Sequence, residues 1–157
     1  MGLMYRVDIT GTSGATAITN APTVVWQATA QAIVPVRIYR IELQSNQTGS
    51  TQTVIPLQLG TYATGTAAGG LTPTPNPVIQ RNSVAAVTAF RTLTATMGTT
   101  FTIKQDWQWN GATPFDYVMG LSALQPEITS ATVWALIIPT ASGTPSLTGS
   151  VWFEELG

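Results

Sequence analysis

Few residues in this chain have side chains able to do chemistry, and those few do not assemble into a catalytic set. No Cys and no His occur among the 157 residues. Thiol catalysis, His-based triads and the usual Cys/His zinc sites are therefore excluded. A Ser–Lys nucleophile has only Lys104 to draw on, and within a strand that residue reads as a solvated or ion-paired side chain. Carboxylate pairs reduce to two. Asp106 and Asp116 would be cross-strand neighbours if the chain turns back at Asn110-Gly111. Glu154 and Glu155 are adjacent, so they point to opposite faces of a strand and do not meet. No spaced Asp run offers a calcium loop, and Gly65 to Gly70 lacks the Lys-Ser/Thr ending of a phosphate cradle. The expectation is a protein that is not an enzyme and uses no cofactor or metal.

Aromatic rings offer a different chemistry. Phe101, Ile103, Gln105, Trp107 and Trp109 alternate with Thr102, Lys104, Asp106 and Gln108. Trp107 and Trp109 could stack sugar rings, but the stripe reads first as the core face of an amphipathic strand. Trp109, beside the turn, is the member expected to leave that core. Trp152 lies among Thr148, Ser150 and Glu154, on the polar parity of the last strand, which suggests a partner surface.

The elements that must hold these residues are strands. Charged residues make up 8% of the chain, against about 25% in ordinary globular domains. Thr alone contributes 27 residues, with 14 Gly and 10 Pro, and six Lys+Arg balance seven Asp+Glu to a net charge of -1. Branched Thr, Val and Ile suit a half-buried pleated surface. The six cations are scattered, so the basic footprint needed for nucleic acid is missing. A neutral Thr/Gln surface also protects poorly against self-association. The start of the chain lacks an export signal, and the apolar run Val133 to Ile138 is too short to span a bilayer. Synthesis in a cytoplasm is expected.

Period-two patterns predict strands at Tyr5 to Ile9, Thr23 to Ala30, Val36 to Gln44, Thr53 to Gly60, from about Val87, at Thr99 to Trp109, Ala131 to Pro139 and Leu147 to Leu156. In Val36 to Gln44, Tyr39, Ile41 and Leu43 share one face, and Arg40, Glu42 and Gln44 the other. Pro56 argues for an edge or a bulge. Asn110-Gly111 is a hairpin signal, with Phe115 to Met119 returning from it. Eight or nine strands with no amphipathic helix predict a single all-β domain over 1–157. A jelly-roll-like antiparallel β-sandwich is favoured, with an immunoglobulin-like sandwich as the alternative. Two irregular segments are expected to reach outward: an N-terminal segment of about residues 1–20, and a Gly/Pro-rich loop of about 61–77. The loop carries Gly65, Gly69, Gly70, Pro73, Pro75 and Pro77.

Three stretches carry a resemblance to a known family: Val34 to Leu43, Phe101 to Asn110, and the closing Leu147 to Leu156. With the absence of Cys and His and the Thr/Ala/Gly/Pro loops, the chain resembles the decoration, or cement, proteins of tailed-bacteriophage capsids. That resemblance implies a virion structural protein on the capsid surface, made in the host cytoplasm. It would bind the major capsid protein, bridge its subunits and associate with itself, as a trimer rather than a dimer, with no direct contact to nucleic acid or membrane. Trp109, Trp152 and the loop residues Gly65, Gly69, Gly70, Pro73 and Pro75 are the interaction candidates. A carbohydrate-binding β-sandwich module or a tail-fibre domain, using Trp107, Trp109 or Trp152, is the alternative.

Overall fold

A computed structural model of the chain describes residues 2–9, 16–17, 22–29, 34–46, 54–64, 70–78, 86, 88–94, 99–120, 127–128, 132–140 and 146–156. Twelve strands lie within them, and no helix. In chain order these are β1 (Leu3–Asp8), β2 (Thr16–Ala17), β3 (Thr23–Thr29), β4 (Val36–Ser45), β5 (Val54–Thr64) and β6 (Asn76–Pro77). They continue with β7 (Ala89–Thr94), β8 (Thr99–Asn110), β9 (Phe115–Val118), β10 (Glu127–Ile128), β11 (Val133–Ile138) and β12 (Ser146–Glu155).

Two antiparallel sheets form a sandwich. The seven-stranded sheet runs β10-β4-β12-β1-β6, with β9 also on the free side of β4 and β2 paired to the start of β12. The five-stranded sheet runs β7-β3-β11-β5-β8. Setting aside the short β2, β6 and β10 and the edge strand β7, the chain alternates between sheets at every step except β5 to β8. The resulting orders, β9-β4-β12-β1 and β3-β11-β5-β8, are those of a jelly roll. In an immunoglobulin-like sandwich several consecutive strands pair within one sheet, which these do not.

Alternation builds the core. Tyr5 and Val7 of β1 with Ile9 just beyond its end, Ile41 and Leu43 of β4, and Leu147, Val151 and Phe153 of β12 face inward from one sheet. Trp26, Ile55, Leu57, Leu59 and Leu136 meet them from the other. Phe153 is central: its ring lies 5.4 Å from Tyr5 and 4.8 Å from Phe90. Buried rings and branched chains each contribute about 1.5–3 kcal/mol through removal from water.

Three bulges overturn the simple parity, the one in β3 leaving Val25 as an extra residue because Leu136 faces Trp26 and Ile137 faces Val24. Opposite β12 the register of β4 slips so that Trp152 faces Arg40 and Phe153 faces Ile38, which leaves Tyr39 as an extra residue. Ile38 takes the inward place and Tyr39 turns outward, its hydroxyl donating to Glu154 Oε2 at 2.7 Å. In β8 the register slips between Gln105, opposite Leu59, and Ile103, opposite Gly60. Lys104 is the extra residue, so Trp107 and Trp109 face the core while Phe101 packs on Tyr62 in a separate cluster outside it. One inserted residue exchanges faces for everything beyond it.

The Asn110-Gly111 turn forms, with Thr113 N–H donating to Asn110 O at 3.0 Å, but it is not a hairpin. It carries the chain from β8 in one sheet to β9, which pairs with β4 in the other. Asp106 therefore lies opposite Gln58 and Asp116 opposite Glu42, and the expected Asp106–Asp116 pair does not exist. Pro56 sits where β5 has run past the end of β11 and has β8 as its neighbour, a local edge that tolerates a missing N–H.

Candidate functional site

The outer face of the seven-stranded sheet gathers charge. Arg6 and Asp8 lie on β1, Arg37, Arg40 and Glu42 on β4, Glu154 on β12, Asp116 on β9 and Glu127 on β10. These are eight of the thirteen charged residues in a chain with six Lys+Arg and seven Asp+Glu. Pairing sets them in rows. Asp116, Glu42, Ser150 and Asp8 stand side by side across four strands, and Val118, Arg40, Trp152 and Arg6 form the adjacent row. The two rows match because β1 and β4 both run antiparallel to β12, and each carries an Arg-x-acid pair.

Between the rows a hydrogen-bonded lattice closes. Arg40 donates through Nε and Nη2 to the two oxygens of Asp116 at 2.8 and 2.7 Å, and its Nη2 lies 2.9 Å from Glu42 Oε1. Glu42 Oε2 accepts from Ser150 Oγ at 2.7 Å and Trp152 Nε1 at 3.0 Å. The Arg6 guanidinium lies 5.5 Å from the Trp152 ring centre, a cation–π contact, and reaches Asp8 at 3.0 Å. Burial works against ionisation of Glu42, but hydrogen bonds from Ser150 and Trp152 and the charge of Arg40 outweigh it and hold the carboxyl below its usual range. The fork from Arg40 does the same for Asp116.

A groove of about 390 Å³ opens on this face. Small residues of β12, Thr148, Gly149 and Ser150, form its floor. Arg6 and Asp8 wall one side, Glu42, Gln44 and Asp116 the other, with Pro114 and Phe115 at one end. Gly149 is required there: a Cβ would fall on the backbone oxygen of Glu42.

The interaction candidates fall in different places. Trp109 is buried, 3% exposed, with Nε1 donating to Thr113 O at 2.7 Å, because the sheet-crossing corner folds back against its ring. Trp107, not Trp109, is the partly exposed ring, packed on Phe115 and Tyr117. Trp152 does lie on the outer polar face, on a strand flanked by β4 and β1. Gly65 and Gly69 lie outside the described residues. Gly70, Pro73 and Pro75 belong to a strap that joins the sheets. Leu71 exchanges backbone hydrogen bonds with Thr92, β6 pairs with Tyr5 and Arg6, and Val78 N–H donates to Met4 O at 3.0 Å. The N-terminal segment likewise contributes β1, a strand with neighbours on both sides, while 10–15 and 18–21 lie outside the described residues.

Sequence reasoning missed the groove. The signal present was the repeated Arg-x-acid spacing at Arg6-Val7-Asp8 and Arg40-Ile41-Glu42. Among the described residues no group of three or more His, Cys, Asp or Glu is arranged to hold a metal ion, and no helix is long and apolar enough to cross a membrane. Comparison with family models, curated proteins and solved structures gives no match.

Proposed function

We propose that this chain is a non-enzymatic virion structural protein that binds the outside of a phage capsid and stabilises the shell by bridging major capsid protein subunits. The observation that carries this reading is where its exposed apolar side chains lie. Val54, Ile103 and Val118 sit along one lateral side of the sandwich, at or next to the β8 and β9 edges. Leu71 and Val78 sit on the strap at the opposite side. A protein that bridges needs two adhesive sides, and exposed apolar side chains on both lateral sides supply them.

Bridging many subunits multiplies weak contacts into tight attachment. Self-association, with a trimer favoured, would use the same sides. Purified virions should contain the chain at a fixed copy number against the major capsid protein by mass spectrometry. Shells lacking it should bind the purified protein with little salt dependence, and Val118→Asp and Leu71→Asp should each weaken that binding. Absence from virions, or release by moderate salt alone, would overturn the proposal.

A further inference from the structure

We propose that the groove across β9, β4, β12 and β1 is a binding site for a neutral saccharide. This is independent of capsid attachment, which the preceding reading places on the lateral sides. Its volume, about 390 Å³, lies at the lower end of small-molecule sites, roughly 300–1,000 Å³. Seven of its eleven lining residues carry polar side chains, so the ligand is polar with an apolar face.

Charge decides which polar ligand. Both guanidiniums are committed, Arg40 to Asp116 and Glu42, and Arg6 to Asp8 and the Trp152 ring. An anion would have to displace a carboxylate and would then face the acidic row. A cation meets a surface on which two Arg nearly balance three carboxylates, leaving it little net attraction. A neutral ligand disturbs none of these pairs.

The remaining hydrogen-bonding capacity suits hydroxyl groups. Glu42 and Asp116 are held in fixed orientations by their own partners, so their free lone pairs are pre-organised. Asp8 gives one oxygen to Arg6 at 3.0 Å, yet its side chain is 44% exposed where it lines the groove, which leaves lone pairs for a ligand hydroxyl. Thr148 and Gln44 add groups that both donate and accept. Pro114 and Phe115 close one end with apolar surface, which matches the C–H face of a sugar ring.

The test is titration of the full chain, followed by backbone amide NMR. The probes are glucose, galactose, mannose, N-acetylglucosamine and their disaccharides, with sulfate and spermidine as charged controls. At least one sugar should give saturable shifts on β1, β4, β9 and β12. Asp8→Ala should weaken that binding tenfold or more, and Thr148→Trp, which fills the floor, should abolish it. Gln108→Ala, on the other sheet, should leave it unchanged, and matched melting temperatures would show that all three variants fold. No saturable shift with any sugar overturns the proposal. So does response to sulfate or spermidine alone, or binding that survives both groove variants. Virion binding by Thr148→Trp separates the two readings: it should persist if the groove fails as a sugar site and attachment is still lateral.

Discussion

The outer faces of the two sheets follow opposite rules. On the seven-stranded sheet the outward positions of β4, β12, β1 and β9 carry Arg, Glu, Asp, Ser and Trp in a closed hydrogen-bonded lattice. On the five-stranded sheet the outward positions hold Val24, Tyr62, Ala135 and Ile137, each no more than 2% exposed, with Phe101 and Val133 packed against them. One face is a polar site and the other is a second apolar cluster. A chain with so few charges therefore does not spread them for solubility. It spends most of them on one surface, and that concentration is the best physical reason to look for function there.

The largest test of this contrast is to truncate a ring on the face that behaves as a core. Tyr62→Ala should cost about 3–5 kcal/mol in chemical denaturation, because a buried ring leaves a cavity against Phe101 and Val133. Trp107→Ala, on the stripe the sequence reads as a core face, should cost about 1–2 kcal/mol, since its ring is partly exposed. Equal or reversed costs would show that the outer cluster is not a core.

A matched pair of glycine substitutions comes next. Gly60→Ala would place its Cβ on the backbone oxygen of Thr102, and Gly149→Ala on that of Glu42. Each should destabilise by about 1–3 kcal/mol, since a backbone atom cannot step aside as a side-chain tip can. The two should separate by NMR. Gly149→Ala should move the indole signal of Trp152, whose Nε1 donates to Glu42, while Gly60→Ala should leave it in place.

How much of this was legible in the sequence depends on how far apart the partners lie. Alternation announces β1 and β12, and the all-β sandwich follows from strand signals along the whole chain. The nearly continuous apolar run that becomes β11 was visible because that strand is central and covered on both faces. The bulges at Val25, Tyr39 and Lys104 are not visible, since a single extra residue has no composition of its own and is fixed by the partner strand. The sheet-crossing corner was hidden for a similar reason: Asn110-Gly111 specifies a turn but not which strand follows it into which sheet. The groove was hidden most deeply. Glu42 and Ser150 lie 108 residues apart, and only the pairing of β4 with β12 brings them together.

The polar face should also set the pH response. Glu42 and Asp116 have folded pKa values below the ordinary 4.5 and 3.8 of free Glu and Asp. Between folded and free values the unfolded chain binds more protons, so stability falls as pH falls. The contribution is fully present above about pH 5 and is lost on acidification through the folded values. Tyr39, raised by its hydrogen bond to Glu154 and by burial, acts at the other end, where stability is lost as pH rises above its ordinary 10.0. Thermal melts should be flat from about pH 5 to 8, where no His titrates. Glu42→Gln should lower the melting temperature at pH 7 by a few degrees and narrow its gap from the parent at pH 3. A pH-independent gap would place the role of Glu42 in packing instead of charge.

The smallest effect on stability, and the one that bears on the other sheet's edge, concerns Lys104. Among the described residues β8 is paired on one side, by β5, and Lys104 stands exposed at its bulge. A long edge strand invites addition of another chain, and a bulge with a Lys at its centre is a known way to prevent it. Lys104→Thr keeps strand propensity and removes the charge, so the melting temperature should hardly change. Association should change instead, with a larger species appearing in light scattering at concentrations where the parent is constant in mass. Gln108→Pro, added to the same chain, should suppress that species by denying the edge a donor. Growth that ignores the proline would come through side-chain patches such as Ile103, and the lateral adhesive surface would then drive self-association in place of strand addition.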